Sequence, residues 1–394
     1  MPRVLVLGSG LVGSLIAADL ALTPGLRVSL VDAHHESLAK ARERTMLLAK
    51  SRKRPLPRVT EIVADCSSKH ELTQLASRVD LVVGALPSRF GFETLKTLIE
   101  CGVPCVDISF MPEDFLSLNA LAKRKRTVAV ADCGVAPGMS NILASAAERA
   151  LTPCERIEIM VGGLPVDRHW PFEYKAGFSP LDVIEEYTRP SRVVEHGKQV
   201  TREALCDREL ISVEGLGTLE AFLTDGLRSL ATTLAVPHMR ERTLRWPGHV
   251  ELMRVFRETG FFSTTPVEVK GAMVRPLDLT AALLFPKWKF NSGEVDLTYL
   301  RVEGEGMDRG RSVRMRFELL DRADLANACT SMARTTAFPA TSVARSLVQG
   351  LIAGSGVFAP EQLLGHPRVM KRLFADLKAR GITVSCEVVE AASL

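Results

Sequence analysis

Residues 4–13 read Val-Leu-Val-Leu-Gly-Ser-Gly-Leu-Val-Gly, an apolar strand running straight into Gly-x-Gly-x-x-Gly, and Asp32 follows 19 positions after Gly13. Each part of this fingerprint has a physical task. Gly8 permits a tight turn out of the strand, Gly10 lets the backbone approach a pyrophosphate, and Gly13 lets the following helix pack close to the sheet. That helix, expected over 11–22, aims its amide end and positive dipole at the phosphates. We therefore expect Gly8, Ser9, Gly10, Leu11, Val12 and Gly13 to cradle a dinucleotide. A second strand, 27–31, ends at Asp32, whose carboxylate suits the adenosine ribose hydroxyls and repels a 2′-phosphate. NAD is favoured, while His34, His35, Arg42 and Arg44 just beyond leave NADP open.

Working outward, short continuous apolar runs alternate with helical patterns through the first third of the chain, as in strands buried on both faces by crossover helices. Strands are expected at 58–64, 81–84, 103–108 and 128–131, with helices between them. Ligands bind beyond the carboxyl ends of such strands. Those ends carry Gly8, Asp32, Asp65, the Ala85-Leu86-Pro87 turn, Asp107 and Asp132. Asp65 is expected beside the cofactor, and Ala85, Leu86 and Pro87 are expected to line its nicotinamide side.

From about residue 155 the pattern changes to longer alternating strands, at 156–161, 192–196, 295–303 and 312–319, which predicts an antiparallel or mixed sheet. Helices are expected at 225–234, 249–259 and 277–285, then at 325–334 and 340–351, with a helix plus strand over 369–388 that packs back on the first domain. The fold class is α/β: an N-terminal Rossmann domain with a doubly wound parallel sheet, plus an α+β second domain with a mixed sheet.

With 394 residues, 46% of them hydrophobic, the chain is long enough for two large cores. A formal charge of +4 is small for this size, and basic residues are interspersed with acidic ones except for runs at 50–54 and 123–126, so we read no nucleic-acid partner. No apolar run approaches the ~20 residues of a membrane span, no leader-like segment precedes the first strand, and a cytoplasmic location is expected. The eight cysteines show neither Cys-x-x-Cys pairs nor metal-ligand spacing, so no metal is expected.

Five further segments stand out in order: Asp132-Cys-Gly-Val-Ala-Pro-Gly-Met-Ser-Asn141, Gly162-Gly-Leu-Pro165, Glu186-Tyr-Thr-Arg-Pro190, Arg245-Trp-Pro-Gly-His249, and Met332-Ala-Arg-Thr-Thr336 with Phe338-Pro339. Together with the N-terminal fingerprint, the chain resembles the saccharopine dehydrogenase-like family, nearest to its lysine 6-dehydrogenase branch. The likeness departs at Trp246, where the family pattern leads us to expect tyrosine. It implies a Rossmann domain of residues 1–135 and 330–394, with a substrate-binding and dimerisation domain of residues 136–329 inserted. It also implies nicotinamide-dependent oxidation at a carbon bearing nitrogen, as in conversion of L-lysine to 2-aminoadipate 6-semialdehyde and ammonia. A saccharopine-type reaction, making or cleaving a secondary amine between an amino acid and an oxo acid, is the alternative. A third relative is a carboxyspermidine-forming reductase. A non-catalytic nicotinamide-binding module is the reading from another class, and a homodimer through the second domain is expected.

Amine oxidation needs a neutral amine, a hydride path, a base and a water to hydrolyse the imine. Asp107 and Asp132 at consecutive strand ends, Cys133, and His249 with an ordinary pKa near neutrality are the candidates for that work. The turn at Gly138 and Met139 opens a helix whose amides suit a substrate carboxylate. Arg245 and Arg334 are candidates for a bidentate clamp, and Glu173 and Tyr174 for a loop reaching the cleft.

Overall fold

The computed structural model describes residues 1–291 and 293–390. It divides into two compact units, Met1–Ala146 with Ala323–Val384, and Ala147–Arg322 with the described residues from Ser385 onward. In chain order the first unit holds β1 (Arg3–Leu7), α1 (Leu11–Ala21), β2 (Arg27–Asp32), α2 (His35–Ser51), β3 (Val59–Val63), α3 (Lys69–Ala76), β4 (Leu81–Gly84), α4 (Ser88–Glu100), β5 (Cys105–Asp107), α5 (Asn119–Lys125) and β6 (Val128–Val130). Helix α6 (Met139–Ala150) follows. Next come β7 (Cys154–Pro165), α7 (Pro180–Thr188), β8 (Ser191–Glu195), β9 (Lys198–Arg202), β10 (Glu209–Val213), β11 (Gly217–Leu223), α8 (Leu230–Thr233), β12 (His238–Arg245) and α9 (His249–Glu258). A hairpin of β13 (Val267–Val269) and β14 (Ala272–Val274) precedes α10 (Pro276–Trp288), β15 (Asp296–Asp308) and β16 (Arg311–Arg322). The chain ends with α11 (Ser331–Val348), β17 (Gly356–Phe358), α12 (Pro367–Lys378) and β18 (Ser385–Glu390).

The first unit is a seven-stranded, wholly parallel sheet in the order β17-β6-β5-β4-β1-β2-β3. Strand order reverses between β1 and β4, and that reversal opens the crevice where α/β sheets take their ligands. Apolar runs such as Val4, Leu5, Val6 and Leu7 are buried on both faces, and the core continues through Val82, Leu95, Leu98 and Phe115. β17, absent from the sequence-based expectation, closes the far edge by pairing with β6.

The second unit carries a nine-stranded mixed sheet in the order β10-β11-β12-β7-β15-β16-β18, with β8 pairing to β12 and β9 to β8. Only the β12–β7 pair is parallel. A core of Met160, Leu219, Leu244 and Trp246 lies on this sheet, and an aromatic core of Tyr187, Phe222, Phe262 and Trp288 joins α7, α9 and α10.

Several expectations need correction. Strands β9 to β12 lie where no strand was foreseen, because β12 reads His-Met-Arg-Glu-Arg-Thr-Leu-Arg and has no apolar alternation. Its charges are instead satisfied across the sheet, Arg240 by Glu158 at 2.8 Å and Arg242 by Glu209 at 2.6 Å. The helix expected at 225–234 is a single turn. Helices expected at 325–334 and 340–351 are one helix, α11, which runs through Pro339. The tail does not all return to the first domain: β18 pairs with β16 in the second unit, Met315 opposite Val388, while 391–394 lie outside the described residues.

Candidate active site

The turn after β1 is built for close approach. Gly8 has φ +90°, and a Cβ there would sit 2.6 Å from the Ala85 carbonyl oxygen; a Cβ on Gly13 would meet the Gly8 oxygen at 2.0 Å. Gly10 is different, since a Cβ there would meet no protein atom within 4 Å. Packing therefore does not demand glycine at 10, and the free space above it suits an outside group lying on the backbone. The first bond of α1 runs from Ser14 N to the Gly10 carbonyl at 3.1 Å, so the amides of Leu11, Val12 and Gly13 ahead of it face outward from a helix N-terminus. These residues fit a pyrophosphate.

Asp32, at the end of β2, accepts hydrogen bonds from Ser9 N and Ser9 Oγ, both at 2.8 Å, and from His34 N at 2.9 Å. Its carboxylate is thereby fixed against the glycine-rich turn. Of the basic groups beyond it, Arg42 is bidentate to Glu61 at 2.7 and 2.5 Å, and Arg44 donates to the Leu11 carbonyl. Asp65 is exposed and is taken up by its own turn, accepting from Ser67 N at 2.9 Å and Ser67 Oγ at 2.7 Å. Ala85 is held by its amide on the Leu7 carbonyl at 2.9 Å, and Leu86 packs over Gly8, so the start of the Ala85-Leu86-Pro87 turn borders the glycine-rich turn.

At the end of β5, Asp107 is 2% exposed. It accepts from the amide of Ser109 at 2.8 Å and from the Ser109 hydroxyl, and no described cation pairs with it. Its Oδ2 occupies the place a Cβ on Gly84 would take, 2.0 Å away, which fixes the carboxylate beside β4 and the switch point. Burial, only partly offset by Ser109 and reinforced by the nearby charge of Asp132, pushes its pKa up to about 7. Asp132 is 1% exposed and has φ +54°, a left-handed conformation in a non-glycine residue. The next residue, Cys133, donates its amide to the Asp107 carbonyl oxygen at 2.9 Å, and burial raises its thiol pKa, so the thiol stays protonated. Asp107, Asp132 and Cys133 thus form one buried group.

The turn that follows is closed on itself. Gly138 N donates to Asn141 Oδ1 at 3.1 Å, Met139 N to the Gly134 carbonyl at 3.0 Å and Ser140 N to the Val135 carbonyl at 2.9 Å. The amides of Gly138 and Met139 are already used, which corrects their expected part in holding a substrate carboxylate.

In the second unit His249, Tyr187 and Arg245 form a directional chain. Phe172 offers only a carbonyl oxygen to His249 Nδ1, at 2.8 Å, so that nitrogen carries the proton and Nε2 accepts. Tyr187 OH then donates to Nε2 at 2.9 Å and in turn accepts from Arg245 Nε at 3.3 Å. Arg245 also reaches Glu186 at 2.5 Å and the Leu244 carbonyl at 2.9 Å, with its guanidinium 4.5 Å from the centre of the Tyr174 ring. Burial first, and the Arg245 charge second, push the His249 pKa down to about 3. His249 is therefore a neutral, fully bonded group, not the base near working pH that the sequence suggested. Arg245 is already committed to Glu186. Glu173 pairs with Arg168 at 2.7 Å, and Arg334 lies in the other unit on the Arg380 carbonyl, so the two expected arginine clamps do not form one clamp within either unit. The sequence marked the segments that hold Glu186 and Ser109 but gave neither residue a role; the Asp-x-Ser spacing of 107 and 109 is the one local signal for the latter.

Comparison with known proteins divides the chain in sequence after residue 130, the second match running on through α11, β17 and α12 of the first unit. The profile described as saccharopine dehydrogenase NADP binding domain matches residues 4–130, and that described as saccharopine dehydrogenase C-terminal domain matches residues 134–382. The chain belongs to the saccharopine dehydrogenase family. Its cofactor is NAD or NADP, and it is a dehydrogenase of that family. Among curated relatives, saccharopine dehydrogenase [NADP(+), L-glutamate-forming] of Schizosaccharomyces pombe is 20% identical, covering 99% of this chain and 100% of its own. Alpha-aminoadipic semialdehyde synthase of Arabidopsis thaliana is 22% identical over 54% of this chain and 21% of its own length. The fold is that of the apo L-glutamate-forming saccharopine dehydrogenase of Saccharomyces cerevisiae, with TM-score 0.78 at 16% identity, covering 99% of this chain and 100% of that one. No described helix is long and apolar enough to cross a membrane, and no group of three potential metal ligands occurs among the described residues.

Proposed function

We propose that this saccharopine dehydrogenase-family chain oxidises, and in reverse forms, a secondary amine joining an amino acid to a second carboxylic acid, with Asp107 as the acid–base group. The observation that carries this reading is the Asp107 carboxyl, buried without a cation at the carboxyl end of β5 and pushed up to about 7. Such a group exchanges a proton near neutrality, as C–N bond oxidation and imine hydrolysis require. The nicotinamide supplies the hydride acceptor. Asp107 takes the proton from the substrate nitrogen and passes it to solvent before the hydride leaves; the regenerated carboxylate then takes a proton from the water that attacks the imine and returns it to the departing amine. Ser109 orients it, Asp132 raises its proton affinity, and the protonated Cys133 thiol is a neutral wall beside it. With the cofactor bound, Gly8 to Gly13 would hold the pyrophosphate, Asp32 the ribose, and Ala85 to Pro87 the nicotinamide side.

NAD is the proposed cofactor, although the family description and the S. pombe relative carry NADP in their names. The Asp32 carboxylate, fixed by Ser9 and His34, would accept from the ribose hydroxyls and repel a 2′-phosphate, and Arg42 is already engaged by Glu61.

L-lysine 6-dehydrogenase activity is the second reading. It is favoured by the state of the two expected clamps, Arg245 bound to Glu186 and Arg334 to the Arg380 carbonyl, since lysine has fewer carboxylates to hold than saccharopine. One experiment separates the two: formation of reduced cofactor by the purified chain, offered saccharopine or L-lysine with NAD or NADP. Saccharopine turnover with NAD is the expected result. Turnover of lysine alone establishes the second reading, and turnover of neither refutes both.

A further inference from the structure

A cavity of about 900 Å³ opens at the opposite end of the first sheet from the glycine-rich turn, under the amino ends of β1, β2 and β3. Arg3, Arg27, Arg54, Arg58 and Arg78 line it, and no aspartate or glutamate does. Three of these arginines stand in one row of the sheet. Arg3 is in register with Arg27 on β2, and because Val28 is in register with Val59, Arg27 lies beside Arg58. Like charges aligned across neighbouring strands repel and work against the fold.

Some exposed arginines elsewhere in the chain pair with carboxylates, such as Arg202 with Glu195 and Arg314 with Glu305. Within the cavity only Arg3 has one, Asp80 at 3.1 Å; the side chains of Arg27, Arg54, Arg58 and Arg78 have no ionic or hydrogen-bonded partner among the described residues. The basic run at 50–54 that the sequence set apart ends in this cavity. Apolar side chains, among them Leu5, Val28, Pro57, Ile62 and Leu75, line it too, together with Thr23, Ser29 and Thr60.

We propose that this cavity binds a nucleoside polyphosphate, separately from the dinucleotide site. Guanidinium forks match phosphate oxygens bidentately, so the unpaired arginines supply the phosphate contacts. The volume lies toward the upper end of the roughly 300–1,000 Å³ usual for small-molecule sites, far more than an inorganic ion needs, and the apolar side chains take the base and sugar. The ligand's phosphates remove the repulsion within the arginine row.

The test is calorimetric titration of the full chain with ATP, and separately with inorganic triphosphate, in the presence of saturating NAD. ATP is expected to bind one site, and more tightly than triphosphate. The double variant Arg27→Glu/Arg58→Glu is expected to weaken ATP binding at least tenfold while the Kd for NAD stays within twofold of wild type. Arg54→Glu, in an exposed loop outside any strand, is expected to weaken it at least threefold and guards against misfolding of the strand variants. Loss of ATP binding when NAD saturates the protein overturns the proposal, as does wild-type affinity in these variants. Triphosphate binding as tight as ATP overturns the nucleoside part.

Discussion

Two aspartates in the first unit are equally buried and behave in opposite ways. Asp19, on α1, is 1% exposed and surrounded by cations: Arg52 at 2.7 Å, Arg380 at 2.9 Å and Arg345, with the Thr341 hydroxyl donating at 2.8 Å. Burial alone would raise its pKa, but the three guanidinium groups outweigh that and hold the carboxyl well below the usual range. Asp107 is 2% exposed, has only the amide and hydroxyl of Ser109, and faces a second acid instead of a cation. The desolvation is similar and the counter-charge is not. A buried carboxylate with its cations in place is part of the frame, tying α1 to α11 and to the end of α12; one left without them is poised to exchange a proton.

The sharpest break of that contrast is Asp107→Asn. It removes the proton acceptor while keeping shape and one hydrogen-bond acceptor, and kcat is expected to fall roughly 100- to 10,000-fold, the range of a lost general base. Thermal stability is expected to hold or rise, because no cation is left unpaired. An unchanged kcat would place Asp107 with the frame. Asp19→Asn is expected to do the reverse. Removing one partner of a buried ionic group typically destabilises by about 3–5 kcal/mol, read as a lower urea midpoint, with kcat per folded molecule close to wild type.

How far the sequence revealed these sites follows from where the partners lie. The cofactor turn was legible because Gly8, Gly10, Gly13 and Asp32 act within one βαβ unit, where spacing alone encodes geometry. Asp107 and Asp132 were legible as strand ends. Asp19 was not, since Arg345 and Arg380 lie 326 and 361 positions away. His249 was legible as a histidine and misjudged as a base, because Tyr187 and Phe172, which fix its tautomer, are 62 and 77 positions distant. Strand β12 stayed hidden for the same reason: Arg240 is neutralised by Glu158, 82 positions away, and local pattern shows only the charges.

The His249 chain extends the comparison to the second unit, where every member has a partner and a framing role is expected. Tyr187→Phe leaves Arg245 Nε and His249 Nε2 without their partner and is expected to destabilise by about 1–3 kcal/mol, with kcat little changed. The pH dependence has a definite sign. The folded pKa of about 3 lies below the unfolded value of about 6.5, so the stabilisation is complete above about 6.5 and is lost as pH falls toward 3. Wild-type unfolding free energy is expected to decline by about 1.4 kcal/mol per unit below that point. His249→Gln, less stable at neutral pH, is expected to lack that decline. An unaltered acid slope in the variant would show that His249 is not buried neutral.

Glu241 tests the same rule with the opposite sign. It is 3% exposed on β12, accepts from Thr224 Oγ1 at 2.5 Å and from Gly226 N at 3.1 Å, and has no cation among those contacts. Burial pushes its pKa up to about 8, with the charge of Glu186 adding to the rise. Since the folded value lies above the unfolded one of about 4.3, the folded protein is favoured while the group is protonated, and that advantage is lost as pH rises through about 8. Both donors converge on Oε2, so in Glu241→Gln the amide oxygen can accept from both without a charge to desolvate. The advantage of the protonated carboxyl is complete only below about 4.3, so the variant is expected to match wild type in melting temperature near pH 4 and to exceed it at pH 9. A wild type that stays level with the variant at pH 9 would mean that Glu241 ionises inside the fold without penalty, and that an unpaired buried carboxyl in this protein does not by itself mark a proton-exchanging site.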